Sequence, residues 1–141
     1  MADAKAKRGG EAARPLSPHL QIYSPLINMV MSILHRITGA ALYFGTLIVA
    51  WVLVAAASGP AHFDFATQVL ASWPGQIVLF GYTWALLHHL VGGIRHFIWD
   101  TGRGFDLATI DLLSWGSAAV SAAATILIWG YVLLCTGSVA P

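Results

Sequence analysis

Residues 75–98, GQIVLFGYTWALLHHLVGGIRHFI, run for twenty positions without a charged side chain before reaching Arg95. A helix of about 20 apolar residues spans the hydrocarbon core of a bilayer. This stretch therefore reads as a membrane helix, and that reading sets the fold class. Its second half is unusual for such a helix: His88, His89 and His96 stand beside Arg95, with Gly92 and Gly93 between them. Ionisable groups inside a membrane are costly and generally serve a function.

The rest of the chain agrees with a membrane reading. Of 141 residues, 57% are hydrophobic and 9% charged, against about 25% charged in a soluble domain. No Asp, Glu, Lys or Arg occurs from Ile37 to Phe63, from Phe65 to Ile94, or from Leu112 to Pro141. Each gap is long enough to cross a bilayer. The expectation is an all-α membrane protein with three transmembrane helices, at about 31–57, 75–98 and 111–135. Residues 1–24 form an N-terminal segment and 25–141 the three-helix domain.

Lys5, Lys7, Arg8, Arg14 and Arg36 lie before or at the start of the first span, and Arg95 and Arg103 flank the second loop. The first loop and the C-terminus hold no Lys or Arg. The positive-inside rule then puts the N-terminus and second loop in the cytoplasm and the C-terminus in the periplasm. The basic N-terminus runs into polar, Pro-containing sequence, so no cleavable signal peptide is expected. A net charge of +1 gives no reason to expect a nucleic-acid partner. The single Cys135 excludes an intrachain disulfide and a Cys-x-x-Cys-His haem attachment, and reads as a small packing residue.

Local signals refine the boundaries. Ser24-Pro25 reads as a helix start, with Ser as N-cap and Pro at the first position. A helix from there to Ala57 would run about 50 Å, beyond the roughly 30 Å core, so its first turns belong to the interface. The first loop has room for a short surface helix. Thr101-Gly102-Arg103-Gly104 reads as a turn, and Asp111 as an anion at the start of span three. The small residues from Ser114 to Thr125 favour close helix approach.

Two constellations could carry chemistry. Ser32 and Arg36 are four apart on one helix face, with His35 beside it. A hydroxyl, an imidazole and a guanidinium at one interface can hydrogen-bond a quinone carbonyl or pair with haem propionates. Arg36 reads equally as an anchor reaching lipid phosphates. His89 and His96 are seven apart, nearly on one face and about 10 Å apart along the axis. An imidazole at depth suits a haem iron, with the second imidazole nearer water. His88 projects about 100° away from His89. One deep ligand leaves a second axial ligand to be supplied from elsewhere. Each histidine can also be read as satisfied by a neighbouring helix.

Three blocks in order, Arg14-Pro-Leu-Ser-Pro-His-Leu-Gln-Ile-Tyr23, Ser32-Ile-Leu-His-Arg-Ile-Thr-Gly39 and His89-Leu-Val-Gly-Gly-Ile-Arg-His-Phe-Ile-Trp-Asp100, resemble the cytochrome b membrane-anchor subunits of succinate dehydrogenase, respiratory complex II. The resemblance covers about residues 14–135. It implies a three-helix subunit of a heterodimeric haem-binding bundle, in a bacterial inner membrane or, if eukaryotic, the mitochondrial inner membrane. It implies His89 as a haem b axial ligand, with the opposite ligand from a second membrane subunit. Ser32 and Arg36 would help form the ubiquinone site, and His35, Arg36 and His96 would lie near the haem propionates. The implied partners are that second membrane subunit, an iron–sulfur subunit carrying the clusters and a flavoprotein carrying FAD, with ubiquinone as substrate and lipid around the helices. His88 has no role implied by the family pattern. A fumarate reductase anchor and a cofactor-free membrane scaffold are the competing readings.

Overall fold

The computed structural model describes residues 23–136, whose regular structure is all helical. In chain order these are α1 (Ile27–Ser58), α2 (Pro60–Ala71), α3 (Trp73–Asp100) and α4 (Leu107–Thr136). α1, α3 and α4 are long and apolar enough to cross a membrane. α1 alone, at 32 residues, extends about 48 Å. α2 is the short helix of the first loop. It packs on α1 and α3, while α3 lies against both α1 and α4.

Two helix starts differ from the sequence expectation. α1 begins at Ile27, not at Pro25. Leu26 remains extended (φ −74°, ψ 156°), its carbonyl accepts from the Met29 and Val30 amides, and Asn28 Oδ1 accepts the Met29 amide at 2.9 Å. α4 starts a turn earlier than Asp111. Asp106 takes the cap, its Oδ1 accepting the Thr109 amide at 2.9 Å, and this leaves Asp111 inside the helix. The Thr109 hydroxyl and amide hold the Asp106 carboxyl below its ordinary value. The reversal between α1 and α2 turns on Gly59 (φ 115°), followed by Pro60 in the first helical turn, a conformation that glycine adopts without steric cost.

The interior is small and polar while the outside is greasy, as expected when lipid replaces water. Along α4, Ser114, Ser117, Ser121 and Thr125 are buried. At spacings of three and four they form one stripe, which lies against α3. Their hydroxyls bond their own helix: Ser117 to the Ser114 carbonyl at 2.9 Å, Ser121 to that of Ala118 at 3.0 Å, and Thr125 to that of Ser121 at 2.8 Å. Small, internally satisfied side chains let α4 approach α3 closely. On the α1 side, Gly45 is buried against the ring of Tyr82. Cys135, expected to pack, is instead exposed on the last turn of α4.

Candidate functional site

His88 and His89 are consecutive but face opposite neighbours, because each helical residue advances about 100°. His88 turns to α4. It is 2% exposed, its Nδ1 lies 3.3 Å from Ser121 Oγ, and it stacks on Trp84 at 5.1 Å. Ser121 donates its own hydroxyl proton to the Ala118 carbonyl, so its oxygen accepts from His88. This imidazole is enclosed and satisfied within the chain.

His89 turns to α1. Its Nδ1 lies 3.0 Å from the His35 carbonyl oxygen and 3.4 Å from Thr38 Oγ1. A carbonyl can only accept, so Nδ1 carries the proton and Nε2 presents its lone pair. That tautomer is the one a metal-ligating histidine adopts when its other nitrogen is bonded to a backbone carbonyl. Thr38 is buried, and its hydroxyl is shared between the Leu34 and His35 carbonyls at 2.8 and 3.0 Å.

The His35 ring lies flat on His89, with centroids 3.9 Å apart and planes 8° from parallel. His96 approaches His35 at 5.0 Å and 52°. Three imidazoles from two helices therefore form one cluster. Two glycines make room for it. A Cβ on Gly92 would stand 2.5 Å from His35 Nδ1, and one on Gly39 would stand 2.9 Å from His89 Cε1. Gly93, one residue further round α3, has no heavy atom within 4 Å of its would-be Cβ and leaves an open flat surface.

At the interfacial end of α1 and α3 is a cavity of about 530 Å³, lined by Tyr23, Asn28, Ser32, Arg95, His96 and Trp99 among others. Ser32 is thus brought to the same space as the end of the histidine motif. Arg36 is exposed and does not line this cavity. Arg95, read from the sequence as marking the membrane interface, has its side chain buried within the bundle. It is 3% exposed, with Nη1 donating to Ser114 Oγ at 3.4 Å and Cζ 5.0 Å above the Trp99 ring. The first resembling block lies outside the described residues, apart from Tyr23.

Sequence reasoning missed Thr38, Gly39 and Ser114 as supports of this region. Thr38 and Gly39 fall directly after the Ser32–Arg36 group, so their proximity was visible. Their contact with His89 depends on how α1 and α3 pack, which spacing within one helix does not reveal.

Residues 11–128 match the family described as succinate dehydrogenase/fumarate reductase transmembrane subunit. The chain is 47% identical over 94 residues to the succinate dehydrogenase cytochrome b556 subunit of Paracoccus denitrificans, covering 67% of this chain and 72% of the relative. It is 38% identical over 116 residues to the b556 subunit of Rickettsia felis, covering 82% and 90%. The mitochondrial cytochrome b560 subunit of Bos taurus is 38% identical over 100 residues, covering 69% and 59%.

Proposed function

The chain belongs to the succinate dehydrogenase/fumarate reductase transmembrane subunit family, and from that premise we propose that it holds one side of a haem b and part of a ubiquinone-reduction site. It serves succinate dehydrogenase as a multi-pass cytochrome b membrane subunit. The observation that carries the site reading is the hydrogen bond from His89 Nδ1 to the His35 carbonyl, which leaves Nε2 with its lone pair free to ligate. The open surface at Gly93 adds room for a flat macrocycle, and the enclosure of His88 argues for His89 over its neighbour as the ligand. Haem supplies one-electron redox chemistry when bound. A second membrane subunit would supply the remaining protein contacts to the haem and complete the helical bundle.

The residues of this chain divide the work. His89 would hold the haem iron through Nε2, and the His35 carbonyl with Thr38 orients its ring. His35 and His96, clustered with His89, would serve the haem propionates. Ser32 bonds a quinone carbonyl in the interfacial cavity. Arg36, exposed at that same end, adds positive charge towards the propionates or the quinone once partner subunits cover it. Succinate is oxidised at the FAD of the flavoprotein. Electrons then pass through the clusters of the iron–sulfur subunit, so two electrons and two protons convert ubiquinone to ubiquinol. This chain docks those subunits to the bacterial inner membrane, with its N-terminus in the cytoplasm and its C-terminus in the periplasm.

Ser32→Ala, assayed in membranes holding the whole complex, tests the quinone role. Losing one buried hydrogen bond of about 1–2 kcal/mol lowers ubiquinone reduction several-fold while dye-coupled succinate oxidation falls less. Equal loss in both assays points to faulty assembly instead.

A further inference from the structure

Arg95 is a buried cation without an anion. A guanidinium remains protonated in proteins, and an uncompensated charge out of water is strongly unfavourable. Among the described residues no carboxylate pairs with it. Its neighbours are neutral, the Ser114 hydroxyl at 3.4 Å and the Trp99 ring at 5.0 Å, and its Nε is buried with no hydrogen-bond partner. Arg95 also lines the cavity that holds Ser32. Ser114 on α4 and Trp99 on α3 hold the guanidinium in place, and Trp99 lines the same cavity.

We infer that Arg95 is an electrostatic positioning residue of the quinone cavity, whose unpaired charge favours the anionic semiquinone. This rests on the cavity being the quinone site. One electron from a one-electron iron–sulfur donor in a partner subunit converts ubiquinone to the semiquinone anion. A second electron and two protons from water complete the quinol. Negative charge develops on the quinone oxygens at the first step, and a fixed cation at the cavity wall stabilises charge of that kind more than it does the neutral quinone. Ser114 acts through Arg95 by fixing its direction. α4, which contributes no residue to the cavity lining, thereby influences the reaction.

The experiment uses the intact complex in membranes, poised at graded potentials, with the semiquinone radical signal and the KM for a short-chain ubiquinone as readouts. Arg95→Gln removes the charge and keeps much of the shape. It reduces the semiquinone signal about tenfold or more, as expected for loss of a charge-assisted interaction, and raises KM. Arg95→Lys restores most of the signal. Ser114→Ala, which leaves the charge but frees its direction, reduces the signal by a smaller factor and covers the case in which Arg95→Gln fails to assemble. A wild-type semiquinone signal in Arg95→Gln, or in Ser114→Ala if only that variant assembles, overturns the assignment. So does a shift in the haem midpoint potential with the semiquinone unchanged, which would give the charge to a haem carboxylate. If Ser32→Ala also leaves KM and radical untouched, the quinone reading itself fails; if Ser32→Ala weakens both and Arg95→Gln neither, only the role of Arg95 fails.

Discussion

At the scale of single residues, two adjacent histidines have separate surroundings. His88 hydrogen-bonds Ser121 on α4, whereas His89 bonds the His35 carbonyl on α1. The 100° advance between them was legible in the sequence, and so was the common face of His89 and His96. The identity of the neighbours was not, since Thr38 is 51 residues from His89 in the chain. Gly92 gives a sharp test of the close packing. Ala in place of Gly would favour a helix by about 1 kcal/mol. Here its Cβ would meet His35 Nδ1 at 2.5 Å, and overpacking of that kind costs about 1–3 kcal/mol. The clash wins: Gly92→Ala lowers the thermal midpoint of the solubilised complex and weakens haem retention. A midpoint at or above wild type would show that the His35 ring has room to move.

At the scale of elements, α4 is recognised by α3 through hydroxyls and small side chains. The run of small residues from Ser114 to Thr125 was readable as a close-approach surface, but which four of them face inward depends on the rotation of α4. Ser121→Leu adds volume to a filled interface and strands His88. Overpacking costs about 1–3 kcal/mol and an unsatisfied buried donor about 1–3 kcal/mol. The variant therefore loses thermal stability strongly, while Ala119→Leu, on the exposed side of α4, loses little. The start of α4 was misread because Asp106 and Asp111 both precede apolar sequence. Asp106 wins by standing three residues before the amide it caps, at Thr109. Its carboxyl lies below the ordinary value, so the capping contribution is present above the unfolded-state pKa and disappears as pH falls through the folded one. Amide exchange at Thr109, corrected for intrinsic rate, accelerates on acidification through that window. In Asp106→Ala it is already fast at neutral pH and loses this pH response.

At the scale of the whole molecule, three apolar gaps between clusters of charge predicted the three long helices, since length and hydropathy suffice to mark a span. The polar interior was less legible. Arg95 was legible as a boundary residue, but the burial of its side chain follows only from the packing of α3 on α4. The proposed orientation puts α2 on the periplasmic side and the Arg103 turn in the cytoplasm. With Cys135 replaced by Ala, a cysteine at His62 reacts with an impermeant maleimide in intact spheroplasts, and one at Arg103 reacts only after permeabilisation; the reverse pattern inverts the topology. The central claim is that His89, and not His88, binds haem iron. Its most direct measurement is the reduced-minus-oxidised optical spectrum of the purified complex. We predict that His89→Ala abolishes the b-type signal while His88→Ala retains it; an unchanged haem signal in His89→Ala, with the complex assembled, would contradict the account.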